Sequence, residues 1–241
     1  MRQLPLRFPK KKKRGRPRLS DAQRRSRGSL VPRVPRPELV ARNPLHVTLR
    51  ARADVPSFRS KRRFRRVRDA LRSAADRFGM RVVHFAVMTD HVHMLVEAHD
   101  KESLSRGMQG LAIRFAKAVN RGDRHGKVFR DRYHAVALES PTQVRNAIAY
   151  VLLNARRHAA KNGPPGPPRM IDPCSSAFWF DGWSRDIEAL VREALQHIEL
   201  PPEPPVARPR TWLLNVGWRK ARRIDPSEVP GPSGPPATRV R

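Results

Sequence analysis

Arg81-Val82-Val83-His84-Phe85-Ala86-Val87-Met88, then Thr89-Asp90, then His91-Val92-His93-Met94-Leu95-Val96-Glu97-Ala98, is the stretch whose reading decides how this chain folds. The first run is apolar and rich in β-branched residues. Thr89-Asp90 suits a tight turn, and the run after it is again strand-like, so the stretch predicts a β-hairpin. Side chains alternate across a strand, so Val92, Met94 and Val96 anchor one face in a core. His91 and His93 share the other face, about 7 Å apart at their Cα atoms.

Working outward, Leu45 to Ala51 reads as a strand, with Leu45, Val47 and Leu49 on one face. A helix is expected over 59–78, where Phe64, Val67, Leu71, Ala74 and Phe78 form the apolar stripe and Gly79 supplies the stop. A second helix is expected over 102–119, with Leu104, Met108, Leu111, Phe115 and Val119 as its stripe. Lys127 to Leu138 reads as a further strand. A third helix starts at Pro141, a favourable first-turn residue, and runs to about Ala160. The order strand, helix, strand, strand, helix, strand, helix predicts an α+β fold: a ferredoxin-like antiparallel sheet flanked by helices.

Proline placement bounds this domain. Of 24 prolines in 241 residues, only Pro56 and Pro141 fall between residues 45 and 160. The division expected is a disordered basic arm over 1–44, a compact domain over 45–160 and a Pro-rich extension with short helices over 161–241. In the extension, Phe178, Trp179, Phe180 and Trp183 form an apolar cluster that is either core or a lid. Helices are expected near 184–197 and over Thr211–Trp218. No apolar run reaches the roughly 20 residues of a membrane-spanning helix. The lone Cys174 fits a reducing cytosol.

Lys plus Arg number 51 against 21 Asp plus Glu, a formal net charge of +30. Such a balance points to a polyanionic partner, because cations gain affinity by releasing counterions from phosphates. Arg114, Lys117, Arg121, Arg124, Lys127, Arg130 and Arg132 fall in one stretch with Phe129 and Tyr133 among them. Cations interleaved with rings suit single-stranded nucleic acid. In the arm, Arg14-Gly15-Arg16-Pro17 looks like an AT-hook, which lays Arg14 and Arg16 into a minor groove. A generic basic tail has the same composition.

Two features carry chemistry. His91 and His93 are placed to chelate one metal ion, although two solvated histidines on an open sheet face give the same pattern. Tyr150 and Asn154 lie four residues apart and share a helix face away from the stripe of Val144, Ile148, Val151 and Ala155. A tyrosine there is either a surface residue or a nucleophile beside a metal. His158 continues the same line.

Taken together, these segments resemble a known family. Met88 to Val96 resembles the histidine–hydrophobic–histidine strand of the HUH nucleases. Ile148-Ala149-Tyr150-Val151-Leu152-Leu153-Asn154-Ala155-Arg156 resembles the nucleophile helix of the single-tyrosine transposases, and Gly126 to Tyr133 resembles the segment between them. The chain is most similar to the REP-associated tyrosine transposases, over about 45–160 and on into Thr211–Gly231. The resemblance implies a DNA endonuclease and strand transferase with Tyr150 as nucleophile, forming a 5′-phosphotyrosine link. His91, His93 and Asn154 would hold a divalent metal, Mg²⁺ or Mn²⁺. The partner implied is single-stranded or hairpin-repeat DNA, with no small-molecule cofactor and no membrane. Monomer and homodimer both stay open. Asn154 is followed by Ala155-Arg156 where the group often has Pro-Val-Arg, which makes the helix run on. A DNA-binding protein of the same fold without catalysis is the alternative. A metal-dependent hydrolase of another substrate leaves the charge of +30 unexplained.

Overall fold

The computed structural model describes Ser20 and residues 39–121, 125–162, 171–195, 200–201 and 203–231. The chain divides into two compact units, Met1–Pro32 and Arg33–Arg241, and of the first only Ser20 is described. The AT-hook-like stretch and Arg124 lie outside the described residues.

The hairpin forms as its sequence implies. β3 (Met80–Val87) pairs antiparallel with β4 (His91–Ala98), Val87 facing Val92 at the turn. β1 (Leu45–Arg50) lies on the other side of β4, with Thr48 opposite His93 and Arg50 opposite His91. β5 (His134–Ala137) pairs with β1, and the two-residue β2 (Asp76–Arg77) pairs with β3. The result is one antiparallel sheet in the order β2-β3-β4-β1-β5, an α+β architecture in which helices cover both faces.

One face carries α1 (Lys61–Ala74) and α2 (Lys101–Asn120), packed against Val47, Leu49, Phe85, Val92, Met94 and Val96. Asp100 caps α2 by accepting from the Ser103 amide, and the expected stripe of α2 is buried throughout. The other face carries α3 (Pro141–Leu152), with Val83, Leu95, Ile148 and Val151 in its core. A register shift between Val82 and His84 inserts one extra residue into β3. That bulge is why Val82 and Phe85, three apart, both face α1 and α2.

Three expectations are corrected. The helix expected to reach residue 78 ends at Ala74, and Phe78 is 53% exposed rather than part of the stripe. Phe78 and Gly79, at φ 57° and 74°, form a two-residue turn joining β2 to β3. Both central residues take positive φ because that twist matches the flanking strands. The strand expected over 127–138 is reduced to β5, preceded by one bridge from Phe129 to Ala51. The Asp131 carboxylate accepts from the Arg132 amide at 2.8 Å, a local turn that competes with strand pairing. The helix expected to run unbroken to residue 160 is interrupted at Leu153, where φ is −106° and ψ is 18°, and resumes as α4 (Asn154–Asn162). Leu152, Leu153 and Asn154 are all buried, at 1%, 5% and 0% exposure. With Val151, also buried, they make four in a row, which sweep about 300° of a regular helix, more than one packed face covers.

Residues beyond 170 complete the α3 face. Phe180, Trp183, Leu213, Leu214, Trp218 and Ile224 pack into the same core as α3 and Phe178 packs against it, so Phe180 and Trp183 are core, while Trp179 stays half-buried outside it. The helix expected over 184–197 is α5 (Glu188–Leu195), with Leu195 exposed. The last expected helix is the single turn α6 (Trp212–Asn215), followed by a 3-10 turn over Gly217–Lys220. Two buried charges tie this segment down. Glu97 accepts from the amides of Arg210 and Thr211 and from the Thr211 hydroxyl at 2.8 to 3.0 Å. Arg145 donates to Glu228, with Nη1 to Oε1 at 2.6 Å. Among the described residues no helix is long and apolar enough to cross a membrane.

Candidate functional site

The start of β4 brings His91 and His93 to the face covered by α3. On that face β1 presents His46, Thr48 and Arg50, the residues alternating with its buried Leu45, Val47 and Leu49. The last turn of α3 contributes Tyr150, and α4 contributes Arg157 and His158. Thr48, Arg50, His91, His93, Tyr150, Arg157 and His158 line one cavity of about 240 Å³.

The rings are closely set. His91 and His93 lie 4.7 Å apart between centroids, His93 and Tyr150 5.1 Å, and His91 and His158 6.2 Å. Each of the two β4 histidines is held from behind. His91 donates from Nδ1 to Asp90 Oδ1 at 2.7 Å, and Asp90 Oδ2 accepts from Arg50 Nε and Nη2 at 3.3 and 3.2 Å. His93 Nδ1 lies 3.2 Å from His46 Nε2 and 3.1 Å from Thr48 Oγ1. Fixing Nδ1 of each ring leaves Nε2 as the position facing a ligand, the usual arrangement behind metal-binding histidines.

The surroundings keep His93, and His46 behind it, neutral. Burial pulls His93 down to about 2, helped by His46, His91, His158 and Arg157. Burial, then His134, pulls His46 down to about 4. A neutral imidazole keeps the lone pair that binding to a cation requires. Burial works against ionisation of Asp90, but the hydrogen bond and charge of His91 and the Arg50 guanidinium outweigh it and hold its carboxyl below the usual range.

Tyr150 is half-buried, and its hydroxyl accepts from Arg157 Nη1 at 3.1 Å. The same guanidinium lies 5.1 Å from the ring centroid. Arg157 therefore meets both the face and the oxygen of the phenol, where a cation favours negative charge on that oxygen.

Asn154 is placed differently. It follows the interruption at Leu153, is fully buried and does not line the cavity. Neither its Oδ1 nor its Nδ2 has a hydrogen-bond partner among the described residues. A buried amide with both ends unmet is costly and signals a ligand or a rearrangement. No cluster of three His, Cys, Asp or Glu side chains suited to a metal occurs among the described residues.

The basic stretch splits. Arg114 and Lys117 lie on α2, and Arg121 follows it, so all three belong to the layer on the other face of the sheet. Lys127, Arg130 and Arg132 are exposed on the segment leading into β5, and Arg130 N donates to Arg50 O at 2.9 Å, beside the cavity. Phe129 and Tyr133, expected to stack bases, are each 7% exposed and belong to the core. Phe129 packs edge-on against Phe58 and at a tilt against Phe115, which uses up its faces.

His46, Thr48, Arg50, Asp90 and Arg157 were not singled out in the sequence. The period-two polar alternation of β1 carries the signal for the first three. Arg157, seven residues from Tyr150, is its neighbour two turns along the same helical line.

Residues 40–152 match the sequence family described as IS200-like transposases. No match was found among curated proteins. Among solved structures, the chain is similar to a REP-associated tyrosine transposase bound to a REP hairpin, at 14% identity and a TM-score of 0.49, over 67% of this chain and 98% of that one. It is also similar to a transposase candidate from Deinococcus radiodurans R1, at 17% identity and a TM-score of 0.35, over 48% of this chain and 92% of that one.

Proposed function

We propose that this protein cleaves and rejoins single-stranded DNA, including hairpin-forming repeats, through a covalent link to Tyr150, assisted by Mg²⁺ or Mn²⁺ held by His91, His93 and Asn154. The observation that carries this reading is one cavity lined by a phenol, the two imidazoles of His91 and His93 and the guanidinium on the phenol oxygen. The donor set fits a divalent ion. His91 and His93 would offer Nε2, and Asn154 would offer a buried amide oxygen that has no hydrogen-bond partner among the described residues. A divalent ion held there would supply Lewis acidity to the scissile phosphate.

The chain's own residues do the rest. Tyr150 Oη attacks phosphorus, the bond from phosphorus to the 3′ oxygen breaks, and the DNA 5′ end stays on the tyrosine. The departing 3′ oxygen takes up a proton to balance the one the phenol gives up. Arg157 stabilises the charge developing on Oη during attack and again when Oη leaves during rejoining. Rejoining reverses the step, so no energy source is consumed. Lys127, Arg130 and Arg132 border the cavity through the segment bonded to Arg50 and meet the backbone phosphates; Arg114, Lys117 and Arg121 extend that charge. Arg14, Arg16 and Arg124 complete the proposed DNA-contacting set. The protein acts in the cytoplasm on chromosomal DNA.

The test is a denaturing gel of protein with labelled hairpin DNA and Mg²⁺ or Mn²⁺. Wild type is expected to carry the label, and Tyr150→Phe to lose the adduct while its affinity for DNA changes less than about twofold. An adduct on Tyr150→Phe would overturn the nucleophile assignment. The alternative, a DNA-binding protein of this fold that does not cut, draws on the absence of Asn154 from the cavity wall. Tight binding without any adduct would select it.

A further inference from the structure

A second run of cations lies on α1, outside the residues assigned so far. The helix opens Lys61-Arg62-Arg63-Phe64-Arg65-Arg66-Val67-Arg68, and its only acid is Asp69. Helix electrostatics opposes this arrangement. The N-terminal end of a helix is positive and favours acids, yet the first turn holds none and Ser60 makes no side-chain cap. Cations three and four apart on one helix also repel. Desolvation, then Arg62, Arg121 and Arg63, hold the Arg66 guanidinium below its ordinary value. Lys61, Arg62 and Arg65 are exposed and pair with no acid among the described residues. A face that served only solubility would mix signs; this one concentrates charge of one sign at the expense of its own helix.

Its position connects it to the cavity. Phe58 N donates to Thr89 O at 3.0 Å and Arg59 Nη1 to Val87 O at 2.9 Å, so α1 starts beside the β3–β4 turn that precedes His91. Arg66 Nη1 donates to Arg121 O at 2.8 Å, joining the start of α1 to the end of α2. Arg52 N donates to Val128 O and Arg130 N to Arg50 O, both at 2.9 Å, fixing the 127–130 segment at the same end of the sheet. Arg50 in turn lines the cavity. Cations thus run from the cavity, over the end of β1, to the layer on the opposite face.

We propose that the N-terminal half of α1 is a second DNA-backbone surface: DNA engaged at Tyr150 passes Arg50 and the 127–130 segment, rounds the end of the sheet and lays its phosphates on Lys61, Arg62, Arg65 and Arg66. This rests on the DNA-cleaving reading above and adds a path to it. Eight helical residues span about 12 Å, enough for a few phosphates and no more.

The test uses the full chain carrying Lys61→Gln, Arg62→Gln and Arg65→Gln together. For a long hairpin substrate, the slope of log affinity against log salt is expected to become shallower by about 2, since each phosphate contact contributes about 0.7 to 0.9. Affinity at ~100 mM salt should fall at least tenfold. Adduct formation on a short strand spanning only the cleavage site should be unchanged. Arg62→Lys with Arg65→Lys keeps the charge and should keep the wild-type slope; a loss there would mark a structural effect and overturn the proposal. An unchanged slope in the Gln variant, or equal loss on long and short strands, would also overturn it. Loss of binding to phosphatidylglycerol vesicles with DNA binding intact would assign the surface to membrane instead. If wild type neither binds nor links to DNA, the DNA reading itself falls, a result separate from any of these.

Discussion

Along β4, Val92, Met94 and Val96 meet α1 and α2 in an unbroken apolar layer, whereas His91, His93 and Glu97 share the α3 face with Leu95. The first face holds the fold together by burial alone. The second buries imidazoles, a carboxylate, an arginine and an amide, each needing a partner. One eight-residue strand serves both because its period is two. A small domain thus carries a polar cavity on a rigid backing: the α3 face borrows its rigidity from the apolar layer behind it.

The widest separation of the two faces comes from paired truncations. His91→Ala should lower the rate of adduct formation by at least about 100-fold while moving the melting temperature little, and added Mn²⁺ should not restore it fully. Met94→Ala, one strand face away, should cost about 3 kcal/mol of stability and leave the rate per folded molecule near wild type. Rate assays alongside chemical denaturation check both, and a Met94 variant that stays stable but stops cutting would break the division.

A smaller effect is expected behind the ligands. Asp90→Asn weakens the acceptor that orients His91, and metal affinity should drop about 10- to 100-fold. Mn²⁺ binding followed by electron paramagnetic resonance reads this without any DNA. Unchanged affinity would mean that Asp90 serves only Arg50.

The α3 face should also be where stability responds to acid. Burial lowers His84 to about 4, with Asp181 opposing, and lowers His46 to about 4. The unfolded chain takes up these protons near 6.5, the folded one only near 4. Their contribution is therefore complete above 6.5, declines as pH falls toward 4 and is gone below. Each pKa unit is worth about 1.4 kcal/mol, so the decline amounts to about 3 kcal/mol per histidine at most. Melting temperatures from pH 7 to 4 should fall less steeply for His84→Gln than for wild type; parallel curves would show that His84 takes no part.

Much of the fold was legible because its signals are local. The hairpin, α2 with its stripe and the start of α3 at Pro141 follow from spacing within a dozen residues. The end of α1 was not legible, since Gly79 suits a helix stop as well as the β2–β3 turn it occupies. Nor was the shortening of the last strand, because Phe129 is drawn inward by Phe58, over 70 positions away. In the site, His91, His93 and Tyr150 line one cavity. Their supporting groups on β1 become visible only once Thr48 is known to face His93. Asn154 shows the limit of spacing: four residues from Tyr150 puts it on the right line, but the interruption at Leu153 alters its depth.

Glu97 and Arg145 each find their partners far along the chain, at Thr211 and Glu228. The order of synthesis follows from that distance. As the chain emerges from a ribosome, the sheet and both helices of its apolar face are complete long before Trp218 and Glu228 arrive to cover α3. The tyrosine helix is the last part of the domain to gain its neighbours, so a nascent chain acquires the sheet and its apolar layer first and the cover of α3 only once residues 211–228 have emerged.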